Sequence, residues 1–221
     1  MADESAELPR WGGITEPATV ATNVVLAVLA FAFAVRLANR SVAEGSAAAG
    51  WLAAGLLATG LAGFIGALAH GTDPARYEAL RAGLWRGALY ATGLVSATSV
   101  ASVAFFAARG GARTALLTFA AVKLVVFMEQ VTRRPEFRIA AGNYGVALAI
   151  VLVGAAYEMF RAQAPGMAWL IAGVLVSLVA GVVQARRLAL HRHFNHNDLY
   201  HVIQMAALYA FYRGGALLVD R

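Results

Sequence analysis

Apolar positions along this chain gather into seven blocks of about twenty residues, the length that crosses a bilayer core as a helix. They cover residues 17–35, 47–69, 87–108, 112–131, 139–159, 166–185 and 198–219. Short polar connections separate them, and two carry turn chemistry, Gly110-Gly111 and Pro165-Gly166. The pattern predicts an all-α integral membrane protein, a multi-pass seven-transmembrane helix bundle. Residues 1–16 form an N-terminal polar segment, and residues 17–221 a single seven-helix transmembrane domain. The longest connection, residues 70–86, places Tyr77, Leu80 and Leu84 at helical spacing, which predicts a short helix lying in the interface.

Polar positions sort by side. Odd-numbered spans begin, and even-numbered spans end, on the side where the N-terminus lies. His70 closes the second block, and His191, His193, His196 and His201 crowd the entry to the seventh. Both groups therefore meet one interface, beside Glu16 and Asn23 at the start of the first span. In the second block Ala62, Gly66 and His70 follow at four-residue steps, a stripe that lets neighbouring helices approach closely. Lys123, the only lysine, falls near the centre of the fourth block. It is expected to snorkel or to pair with Glu129 or Glu158. The seventh block has no lysine, which argues against a retinal protein with its Schiff base there.

Composition agrees with the blocks: 60% of residues are hydrophobic, 14% are charged, and the mean hydropathy is +0.65. The formal charge of +6 comes from arginines between spans, where headgroups meet them, so it does not point to nucleic acid. Membrane lipids are the expected partners, with a lipid as the substrate; the oligomeric state is not legible. Of the flanking arginines, ten lie on the N-terminal side (Arg10, Arg76, Arg81, Arg86, Arg133, Arg134, Arg138, Arg186, Arg187, Arg192) and seven on the other. That bias puts the histidine side in the cytoplasm. The acidic start MADESAELPR lacks a signal peptide's basic and apolar regions, so the first span is expected to be retained. With no cysteine, thiolate metal sites and disulfides are excluded.

The candidate chemistry lies in HRHFNHNDLYHVIQ. Asp198 and His201, three apart, share a helix face that Gln204 continues, and Asn197 is a candidate N-cap. With His196 before the span and His70 from the second, these form an imidazole set of the kind that holds zinc with a position open for water. His70, His196 and His201 are the candidate metal ligands. Asp198 or Glu16 is the candidate general base, and Asn23, Asn197 and Gln204 complete the polar site. His191 and His193 read as loop residues in water.

Seven spans, an E-x5-T-N start, ALAHGT ending span two and histidines opening span seven resemble the alkaline ceramidase superfamily, which includes the progestin and adiponectin receptors. The resemblance implies three zinc-holding histidines, one from span two and two from span seven. His70 and His201 match two of these, and Glu16, Thr22 and Asn23 match the span-one motif. The chain departs where Asn197 stands four residues before His201, where Gly66 replaces a serine one turn before His70, and where span three lacks an aspartate. The resemblance implies a membrane-embedded, zinc-dependent hydrolase of a lipid amide or ester. A non-enzymatic lipid-responsive receptor or structural partner is the alternative, and no inverted repeat or broken helix pair marks a transporter.

Overall fold

The computed structural model describes residues 10–191 and 193–221. Residues 1–9 of the polar segment, and Arg192 among the flanking arginines, lie outside them. A two-stranded antiparallel hairpin, β1 (Arg10–Trp11) and β2 (Ile14–Thr15), precedes seven helices: α1 (Pro17–Glu44), α2 (Ala47–Gly71), α3 (Glu78–Phe106), α4 (Gly110–Arg133), α5 (Phe137–Ala162), α6 (Met167–Ala185) and α7 (His196–Gly215). The fold is all-helical apart from the hairpin. Six helices, α1 to α6, are long and apolar enough to cross a membrane. Large apolar side chains stand exposed along them, including Val28, Phe64, Val125 and Val153, as lipid-facing residues do. The molecule has the make-up of an integral membrane protein.

Helix α7 is the exception, because it carries the polar residues. His196, Asn197, Asp198, His201, Gln204 and Arg213 lower its apolar content.

The helices close into a ring in the order α1, α2, α3, α5, α6, α7 and back to α1, with α4 packed outside it, mainly against α3. The central core runs from Leu26 and Leu37 on α1 through Leu52 and Leu56 on α2 to Leu208 and Phe211 on α7. Small residues set the α1–α2 spacing. A Cβ on Gly63 would meet the Asn23 carbonyl oxygen at 3.2 Å, and one on Gly60 would meet the Phe31 ring at 2.5 Å. Beyond α7, Asp220 returns to cap α2, its carboxylate accepting from the Ala47 and Ala48 amides at 2.9 and 2.8 Å.

Three local expectations are corrected. The interfacial helix is not separate: α3 starts at Glu78 and runs unbroken to Phe106, because the stretch from Glu78 into the apolar block has no Pro and no turn signal. The N-cap of α7 is Asn195, not Asn197: its side chain accepts from the Asn197 amide, and Asp198 closes a capping box. Lys123 pairs with neither Glu129 nor Glu158. Its ammonium donates to Ser96 Oγ at 2.5 Å and to the Asn143 carbonyl and Oδ1 at 2.8 and 2.5 Å. Glu129 lies one and a half turns further along α4, bonded to Arg133, and Glu158 pairs with Arg221.

Candidate functional site

The site forms where the start of α1, the end of α2 and the start of α7 converge. Glu16 precedes Pro17 at the first position of α1, and its backbone is left-handed (φ 47°, ψ 54°). Non-glycine residues avoid that region, and strain there persists only where the surroundings hold it. The hairpin supplies the hold: Thr15 Oγ1 donates to the His70 carbonyl at 2.5 Å, and Arg10 pairs with Asp73 at 3.0 Å. Turned this way, the Glu16 carboxylate accepts from His70 Nδ1 at 2.8 Å and from Arg81 at 3.4 Å. Burial pushes the Glu16 carboxyl up, but the His70 hydrogen bond and the nearby charges of His70, Arg81 and His196 outweigh it and hold it below its ordinary value.

His201 is held from the same helix. The Thr22 hydroxyl lies 3.2 Å from the Thr19 carbonyl and shares a hydrogen bond with His201 Nδ1 at 3.0 Å. The consequence matches that at His70. In each ring Nδ1 is engaged by an α1 side chain, Glu16 at His70 and Thr22 at His201, which leaves Nε2 as the other ring nitrogen. A ring nitrogen fixed by an outer partner while the other stays free is the arrangement of histidines that bind metals or take protons.

Both rings line one cavity of about 180 Å³. It is also lined by Asn23, Gln184, Asn197, Tyr200 and Gln204, and the remaining wall is largely apolar, from Leu26 and Leu89 to Phe211, with Thr59, Thr92 and Tyr144 among it. An outer vestibule of about 690 Å³ opens between the end of α2 and the start of α3, lined by Arg81 and Glu78 among others. His70 and Trp85 border both spaces.

The remaining candidates divide. Asn23 is buried, donates to the Thr19 carbonyl and packs on Gly66, where a Cβ would meet its Oδ1 at 3.3 Å. Glycine in place of the expected serine thus makes room for this amide. Asp198 is fully buried: Oδ1 accepts from Thr19 at 2.7 Å and Oδ2 from the Asn195 amide at 2.7 Å. Both carboxylate oxygens hold structure. Asn197 accepts from Gln184 at 2.8 Å, and Gln204 bridges Ser177 and Tyr200 at 3.1 and 3.2 Å. His196 is half-buried at the first position of α7, while His191 and His193 sit exposed on the loop before it. Among the described residues, no three of His, Asp and Glu converge closely enough to hold a metal.

Sequence reasoning passed over Thr22, Arg81, Tyr200 and Gln184 as site residues. Thr22 alone left a signal, as the residue before Asn23 in the span-one motif.

The chain belongs to a family of unknown function, DUF6962. The match covers residues 18–220, every helix of the ring almost from end to end. No curated protein and no solved structure matches the chain.

Proposed function

We propose that the protein is a membrane-embedded hydrolase of a lipid amide or ester, with His70 and His201 as its acting groups. The observation that carries this reading is the pairing of two Nδ1-anchored imidazoles, from α2 and α7, in one largely apolar cavity. An acyl chain fits the apolar part, and its carbonyl then meets the Nε2 atoms. In this reading α7 is the seventh span, its polar face turned to the cavity and its apolar residues packed on α6 and α1. The arginine bias supports a cytoplasmic histidine side in this reading.

In this reading both rings are neutral with Nε2 unprotonated, and neutral imidazole nitrogens are donors that zinc takes. His70 and His201 would hold the ion. Bound zinc supplies a polarised carbonyl and a water of lowered pKa. The chain's own residues do the rest. Glu16 fixes the His70 tautomer and compensates positive charge, Thr22 fixes that of His201, and the Thr19–Asp198 bond sets the register of α7 against α1. Glu16, bonded to His70, works through that ring and not as a free base.

The engagement of both nearby carboxylates favours a second reading, a lipid-responsive receptor that binds without cleaving. Zinc content and fatty-acid release from a panel of lipid amides and esters separate the two. The hydrolase reading expects release that is lost in His70→Ala and in His201→Ala, and loss of any bound zinc with it. Lipid binding without release from any panel member leaves the receptor reading.

A further inference from the structure

We propose that a waist in the bundle, closed by Tyr144 from α5 and Phe211 from α7, sets the chain length of the cavity's ligand. The proposal rests on the reading of the cavity as a lipid-chain site and adds where that chain ends. A second cavity, of about 30 Å³, continues from the first, away from the histidines. The two share Thr59, Val95, Tyr144, Leu208 and Phe211 in their walls and no other residue. On α2, α3 and α5 alike, the residues of the first cavity lie on the histidine side of the shared position. Those of the second lie beyond it, at Leu52, Phe106 and Val151 among others. The shared side chains therefore form one constriction between two stacked spaces.

Helical rise converts these positions into lengths. At about 1.5 Å per residue, His70 to Thr59 and Trp85 to Val95 each span about 15–16 Å, and Thr59 to Leu52 adds about 10 Å. Three bonds of an extended chain cover about 3.6 Å, so the first cavity takes about thirteen bonds of hydrocarbon before the waist. Phe211 cannot back away from an arriving chain. Behind it α6 passes at Gly173, where a Cβ would meet the ring at 2.9 Å, so the glycine already gives the ring what room there is. Beyond the waist the hydroxyls of Thr59, Ser99 and Ser102 donate to the Gly55, Val95 and Ala48 carbonyls. With those groups engaged, the second cavity suits methylenes once the waist is opened. The ligand is an amphiphile whose chain ends near Phe211, and the surplus of a longer chain must displace that ring or double back.

The test offers the detergent-purified protein an equimolar excess of straight-chain alcohols from octanol to docosanol. Alcohols retained through gel filtration are extracted and separated by gas chromatography, and the amounts carried by protein-free micelles are subtracted. Micelle hydrocarbon is as apolar as the cavity wall, so burial per methylene cancels and the retained profile reports fit. Dodecanol and tetradecanol are expected to exceed octadecanol and longer alcohols by roughly tenfold, a gap of about 1.4 kcal/mol. Phe211→Ala is expected to admit octadecanol, and Tyr144→Ala to do the same from α5, so the result does not hang on one variant folding. A profile without a cut-off in the unsubstituted protein, as from a tail that leaves between helices, overturns the proposal and leaves the cavity reading standing. A cut-off that neither variant moves assigns the limit to other residues and overturns the proposal too. Retention no greater than that of protein-free micelles overturns the cavity reading itself.

Discussion

The Thr19–Asp198 bond is one of two side-chain ties between α1 and α7 described above, and its worth can be worked from the structure. Both side chains are fully buried, the Oγ1–Oδ1 distance is 2.7 Å, and the other carboxylate oxygen stays on the Asn195 amide. Hydrogen bonds between membrane helices couple by about 0.6 kcal/mol on average and by about 1.7 at most. A charged acceptor raises the value, to about 1.5–3 kcal/mol in soluble proteins. The short, buried, charge-assisted bond here therefore belongs at the upper end of the membrane range, about 1–2 kcal/mol. Thr19→Val keeps shape and removes the donor, which leaves a buried carboxylate oxygen unpaired. Asp198→Ala removes the acceptor and also the capping box, adding about 1 kcal/mol for the cap. A double-mutant cycle isolates the bond: in the Asp198→Ala background, Thr19→Val is expected to cost almost nothing. Unfolding in mixed detergent micelles, followed by circular dichroism, gives the four stabilities. Additivity within about 0.3 kcal/mol would refute the reasoning, because independent sites behave that way.

Two further outcomes follow from the polar interior. Lys123→Met is expected to leave stability unchanged or raised, while Asn143→Leu, which strips one of the three acceptors of the ammonium, costs about 1–3 kcal/mol. Adding Lys123→Met to Asn143→Leu should recover most of that loss in the same unfolding assay. The Glu16 carboxyl titrates below its ordinary value of 4.5, so its contribution to stability is present above that pH and is lost as pH falls through the depressed folded value. Glu16→Gln should flatten the acid side of the stability–pH curve, and an unchanged acid fall in that variant would contradict the pairing with His70.

Much of the fold was legible because lipid leaves so few choices. Backbone groups in a bilayer must be satisfied within the segment, so an apolar block of sufficient length becomes a helix, and all seven blocks did. The side-counting that gathered Glu16, Asn23, His70 and His201 needed only the order of the blocks, and these residues do converge. What escaped was tertiary. Thr22 reads as an ordinary helix-start threonine until α7 lies beside it, and Arg81 reads as a headgroup anchor until α3 extends back toward Glu16. Asp198 read as a base because acidity suggests chemistry, but the Asn195-x-x-Asp198 spacing is that of a capping box, and the structure uses it so. Lys123 was set against carboxylates, although neutral oxygens of Ser96 and Asn143 satisfy an ammonium whose neighbours come from α3 and α5. The position of α4 outside the ring was equally invisible, since its apolar block resembles the others.

The account turns on the protonation of two rings, and nitrogen NMR reads that directly. In protein labelled with ¹⁵N at histidine, held near neutral pH without added metal, His70 and His201 should each show a protonated Nδ1 and an unprotonated Nε2. Assignment comes from the loss of each signal pair in His70→Gln and His201→Gln. Thr22→Val should disturb the His201 pair alone, and Glu16→Gln the His70 pair alone. Protons on Nε2 in both rings would leave no lone pair facing the cavity, and the proposed function would fall with that result.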